Sequence, residues 1–148
     1  MPIGTAPEVR AWAREQGFPH YATAVEATEL GGWVVSFEGN GYLATQDDVL
    51  RRLTEGRTAI VLFRNVNAVM RFIYVKNRTV IRTFDPLLYD NRSMWIGKPL
   101  PEEKGVPFGV DGAMPSAFAL AQRISGVNLT RELLVARDAW IAVGHFPK

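Results

Sequence analysis

The chain has 148 residues, the size of one ordinary domain, and its 47% apolar and 22% charged residues describe a globular protein rather than a disordered one. It has no cysteine, which excludes disulfides, thiolate nucleophiles and cysteine zinc sites, and only two histidines, His20 and His145, which comes close to excluding a multi-histidine metal site within one chain. Seventeen basic residues against fifteen acidic ones leave +2, a weak bias, and the densest apolar run, Ala59 to Phe63, is far short of the ~18 residues of a membrane helix.

The first predicted element is a helix over 7–16. Thr5 is its N-cap and Glu8 stands three residues on, the arrangement of a capping box. Pro7 lies in the first turn, where its missing N–H costs nothing. Val9, Trp12 and Ala13 form an apolar stripe, and Gly17 supplies a left-handed stop. Residues 18–30 read as a second short helix or an irregular lead-in. After Gly31-Gly32, Trp33 to Glu38 alternates as a half-buried strand does, with Trp33, Val35 and Phe37 on one side. Gly39-Asn40-Gly41 turns the chain. A helix follows over 46–55, capped by Thr45. Asp47 and Asp48 lie in its first turn, where the helix dipole favours negative charge, and Val49, Leu50 and Leu53 form its apolar face.

Three strands come next. Thr58 to Arg64 carries large apolar groups on both faces, which predicts a central position. Val69 to Val75 follows the short connection 65–68. Lys76-Asn77-Arg78 is a tight hairpin turn in which Asn77 takes positive φ. Thr79 to Phe84 runs back with Val80, Arg82 and Phe84 on one face. Such short connections make an antiparallel meander. Residues 86–112 are rich in Pro and Gly yet hold Tyr89, Met94, Trp95, Ile96 and Phe108, so part of this long loop is expected to fold back onto the body. A helix over 115–125 presents Ala117, Leu120, Ala121 and Ile124 and stops at Gly126. Thr130 caps a short turn through Leu134, and Trp140 to Val143 is the last predicted strand. The expected architecture is α+β: one domain over 1–148, an antiparallel β-meander sheet of four to five strands with helices packed on one face.

Site motifs are few. Gly39-Asn40-Gly41 lacks the further glycine and the strand–helix context of a nucleotide loop. No serine sits in a Gly-x-Ser-x-Gly elbow. Asp47-Asp48 is explained by the helix start and Glu102-Glu103 by an exposed loop. Asp85 and Asp111 bracket the long loop beside aromatic residues, although Asp before Pro is also a common turn starter. Asn65 and Asn67, at i and i+2 on a sheet connection, can put two amides on one rim; with Arg64 and Arg71 that rim suits an anionic or amide-bearing ligand. The competing reading is local backbone hydrogen bonding in the turn. Trp95, inside the loop, is a candidate lid or interface anchor. The candidate ligand-binding set is therefore Asn65, Asn67, Arg71, Asp85, Trp95 and Asp111.

Two segments carry a family resemblance. Gly32-Trp33-Val34-Val35-Ser36-Phe37-Glu38-Gly39-Asn40-Gly41-Tyr42-Leu43 resembles a Gly-Trp-Thr-x-x-x-Glu-Pro-Asn-Gly-Phe block, and Arg64-Asn65-Val66-Asn67-Ala68-Val69-Met70-Arg71-Phe72 resembles a Trp-Asn-Val-Asn-Ala-x-x-Arg-Phe block. Both segments thus resemble a domain-of-unknown-function family common in actinobacteria, to which Phe84-Asp85-Pro86 and the stretch Ala119 to Leu129 are similar too. The likeness covers roughly residues 31–143. Gly39 stands for the family's proline and Arg64 for its tryptophan, and the strand the family places before the first helix is not expected here. The resemblance implies the fold and carries no established activity.

Three functional readings follow. The first is a non-catalytic binding or interaction protein, of the immunity or regulatory type. The second is a small pathway enzyme or small-molecule-binding protein with a cleft between the sheet and loop 86–112. The third, nucleic-acid binding through the middle-third arginines, is disfavoured, because arginines on solvated strand faces explain them. No metal or cofactor is expected. The expected partner is a protein or a small molecule, a homodimer stays open, and with neither a secretory signal nor a membrane span the expected location is the cytoplasm.

Overall fold

A computed structural model describes residues 3–15, 23–39, 42–137 and 140–145. The stop expected at Gly17, His20 and the Asn40-Gly41 turn lie outside the described residues. The fold is α+β, with every strand pairing antiparallel. The strands divide into two sheets, and the chain into two compact units: residues 1–41 with 127–148, and residues 42–126.

The first unit holds β1 (Ile3–Thr5), α1 (Ala6–Glu15), β2 (Thr23–Leu30), β3 (Trp33–Glu38), α4 (Arg131–Val135) and β7 (Ile141–His145), with sheet order β1-β7-β2-β3. Glu8 accepts from both the N–H and the hydroxyl of Thr5, at 2.7 and 2.9 Å, so the carboxylate half of the expected capping box starts α1. β1 does precede that helix, contrary to expectation; three residues are too few to show a strand period, and pairing with β7 defines them. Residues 23–30 are also strand rather than helix or lead-in. Their Ala and Glu content hides this, but β2 is paired on both edges and that ladder overrides weak propensity. Gly31 and Gly32, at φ +58 and +79, make the two-residue turn into β3 that only left-handed backbone allows. Thr130 caps α4 as expected, its hydroxyl accepting from the Leu133 N–H at 3.2 Å. Buried Glu26 accepts from Arg137 at 2.5 Å, and that guanidinium covers the Phe37 ring at 3.8 Å.

The second unit holds α2 (Asp47–Leu53), β4 (Thr58–Arg64), β5 (Met70–Lys76), β6 (Thr79–Phe84) and α3 (Ala113–Ser125), with sheet order β4-β5-β6. The meander is as expected, but β5 and not β4 is central. Large side chains on both faces of β4 reflect cover above and below the sheet, not a middle position. Phe72, Tyr74 and Phe84 pack with Leu120 and Ala121 of α3, while Ile73 and Val75 pack with Leu50 of α2. Helices thus lie on both faces rather than one. Thr45 does not cap α2: it ends a short 3-10 turn and its hydroxyl donates to the Tyr42 carbonyl at 2.8 Å, leaving Gln46 at the N-cap. Leu53, expected on the apolar face, is exposed; Leu50 is the buried anchor. α3 begins two residues earlier than expected and ends at Gly126 with φ +75.

Candidate functional site

The segment after β6 folds back onto the sheet. A bulge explains how: Val75 pairs with Val80 but Tyr74 pairs with Arg82, so Ile81 is the extra residue. The register then puts Arg82 on the same face as Phe84, which pairs with Phe72. Arg82 is 0% exposed. Its Nε and Nη2 donate to the two carboxylate oxygens of Glu103 at 2.7 and 3.0 Å, and Nη1 donates to the Gly97 carbonyl at 3.2 Å. The guanidinium lies between the rings of Trp95 and Phe84, 4.2 and 4.7 Å from their centroids. The Tyr89 hydroxyl donates to Glu103 at 2.6 Å, the Leu100 N–H at 2.9 Å, and the Trp95 indole N–H donates to the Tyr89 carbonyl at 3.0 Å. Phe108 stacks on Tyr89 at 4.5 Å.

This geometry sets the local proton affinities. Burial by itself would raise the Glu103 carboxyl, but the hydrogen bonds from Arg82, Leu100 and Tyr89 hold it below the ordinary value. Burial, then the bond to Glu103, pushes the Tyr89 phenol up to about 12. Glu103, read from sequence as part of an exposed loop pair, is buried. The cluster is fully satisfied internally, so it serves as the clamp of loop 86–112. The signal for it was faint but present: Arg82 alternates in phase with Phe84 in a strand with a buried face.

The six residues singled out from sequence do different jobs. Asn65 accepts from the N–H groups of Asn67 and Val69 through Oδ1, both at 3.0 Å, closing the β4–β5 connection. Asn67 and Arg71 are exposed. Asp85 is buried and its Oδ1 accepts from the N–H groups of Leu87 and Leu88 at 2.8 and 3.3 Å, starting the loop. Trp95 covers Arg82, and Asp111 is exposed. Among the described residues, the one hydrogen bond joining two of the six is that between Asn65 and Asn67. His145 ends β7 opposite Thr23.

A concavity that the sequence did not single out lies on the other face of the sheet. It is a groove of about 410 Å³ lined by Asp47, Leu50, Arg51, Val75, Arg78, Thr79, Val80 and Ile96. Its lining is apolar through buried Leu50 and Val75 beneath and through Val80 and the exposed Ile96 at the wall; Asp47, Arg51 and Arg78 put charge on its rim. Its walls are tied in place. Asn77 and Arg78, at φ +42 and +68, form the β5–β6 turn. The Arg78 N–H donates to the Thr54 hydroxyl at 3.1 Å, the Asn77 N–H to the Arg57 carbonyl at 2.8 Å, and the Gly56 N–H to Asn77 Oδ1 at 3.0 Å, fastening the hairpin tip to the end of α2. On the other side Ile96 and Thr83 exchange both backbone hydrogen bonds, at 2.9 and 3.0 Å. Arg78 reaches Glu55 at 3.5 Å in the open, a weak pair; Arg51 and Asp47 have no ion-pair partner among the described residues.

Among the described residues, no group of three or more acidic or histidine side chains could hold a metal ion, and no helix is long and apolar enough to cross a membrane. No curated protein and no solved structure matches the chain. Residues 5–148 match DUF6461, a family of unknown function, and the chain belongs to that family.

Proposed function

We propose that this protein works by binding, as a non-catalytic interaction protein of the immunity or regulatory type, and that it meets a protein partner at the groove between α2 and the β5–β6 hairpin. The observation behind this reading is the groove's construction: an apolar floor and a charged rim on walls fixed by named hydrogen bonds. Preorganised apolar surface of this kind binds without a large ordering cost. The reading includes a cytoplasmic setting and, from the motif resemblance, an actinobacterial context. The alternative, a cleft for a small molecule beneath loop 86–112, needs the inner side of that loop open, where Tyr89, Trp95, Leu100 and Phe108 pack against the Phe72–Phe84–Leu120 cluster.

The test is affinity capture from the native host with the wild-type protein, Ile96→Glu and Thr79→Phe, read by quantitative mass spectrometry. Ile96 is 53% exposed and Thr79 is exposed, so both variants should fold. The reading expects a protein enriched on the wild type and lost on both variants. Retention by both, or loss only on an Asn67→Ala, Arg71→Ala variant, overturns it.

A further inference from the structure

Resting on that reading, we infer that the groove's occupant is an extended segment of a partner protein in which aliphatic and acidic side chains alternate. Charge complementarity carries the chemistry. Two arginines and one aspartate line the groove, and Arg51 has no ion-pair partner among the described residues. The unit that contains the groove has twelve Lys and Arg against eight Asp and Glu, so an approaching acidic segment meets a favourable field. A guanidinium is the side chain best suited to a carboxylate, through two parallel N–H donors.

Shape carries the extended conformation. With Ile96 53% exposed at the wall, a small free ligand would stay half in water, whereas a chain needs to bury only one or two side chains. The groove also follows a sheet edge. β6 pairs with β5 on one side; on the other, Thr83 and Ile96 form the one bridge among the described residues. Val80, which lines the groove, lies farther along that edge, where an added segment can use its backbone groups for affinity and alternate side chains for selectivity; Thr79 beside it closes the hairpin against Lys76. The aliphatic side chains then sit on Val80 and Ile96, the accessible part of the apolar lining, and the carboxylates face Arg51 and Arg78.

The probe is a pooled library of octapeptides alternating Asp or Glu with Leu, Ile or Val, run beside pools with Asn or Gln and with Lys at the acidic positions. Against the whole protein the acidic pool should enrich at least tenfold over the amide pool, with the basic pool at background. Raising salt from 50 to 500 mM should remove most of the gain. Arg51→Gln and Arg78→Gln should each weaken the best peptide several-fold, and Ile96→Glu should abolish it. Equal enrichment of acidic and amide pools, with no effect of the arginine variants but loss on Ile96→Glu, overturns the acidic specificity and leaves the groove as a binding site. No enrichment of any pool, or enrichment untouched by Ile96→Glu, overturns the extended-segment assignment; native capture then decides the broader reading separately.

Discussion

Arg82 and Glu103, twenty-one residues apart in sequence, meet through two parallel hydrogen bonds with neither side chain open to solvent. Burying two charges costs several kcal/mol per ion, which close geometry and extra hydrogen bonds must offset. Here the carboxylate also takes donors from Tyr89 and Leu100, and the guanidinium takes the Gly97 carbonyl and two aromatic faces. The pair fastens loop 86–112 to the strand that carries the groove's Val80. Breaking it by halves is therefore expensive: Arg82→Met should lower stability by about 3–5 kcal/mol, and Glu103→Leu by a similar amount, in urea unfolding. The double variant should recover much of the loss, because it leaves no orphaned charge.

Acid should act on the same pair. The Glu103 carboxyl titrates lower in the folded protein than in the unfolded chain. Its contribution is thus fully present above the unfolded glutamate value, about 4.3, and is lost as pH falls through the lower folded one. Urea midpoints measured from pH 7 downward should drop below that value more steeply in the wild type than in Arg82→Met/Glu103→Leu. Parallel curves would show that the pair contributes nothing pH-dependent.

Alkali should find Tyr89. Its phenol is raised to about 12 in the fold, so the folded state holds this proton more tightly than the unfolded chain does. The associated stability is present below the ordinary tyrosine value of about 10 and is lost as pH rises through 12. Ultraviolet titration should show an ionisation near that pH that disappears in Tyr89→Phe.

Gly97 is a third lever. It sits at φ +76, and a Cβ there would lie 1.9 Å from the Ile81 carbonyl oxygen, so the loop or the bulge must move to admit one. Gly97→Ala should cost more than the ~1 kcal/mol of an ordinary positive-φ substitution. Thermal unfolding measures this, and an unchanged midpoint would contradict the close approach.

Much of the fold was legible in the residues, and the misses share a cause. Alternation marked β3 and β5, Asn77 marked the hairpin turn, and Gly126 marked the end of α3; in β6 alternation set Val80 beside Arg82 and Phe84, whereas the bulge at Ile81 turns Val80 to the α2 face. β1 and β2 were hidden because their strand character comes from long-range pairing rather than from their own side chains. The order of β4 and β5 was misread because apolar residues on both faces signal cover, which edge strands also receive here. The site was less legible. Asn65 and Asp85 look like ligand contacts in one dimension and act as turn acceptors in three. The groove joins α2, a hairpin tip and Ile96, and no local pattern announces a meeting of segments so far apart in sequence.

Hydrogen exchange on the complex with the captured partner tests the binding account most directly. Protection concentrated in residues 47–51, 75–80 and 96, and absent from the complex attempted with Ile96→Glu, is the predicted result. Protection confined to 65–71 and 111, with the groove segments exchanging as in the free protein, would contradict it.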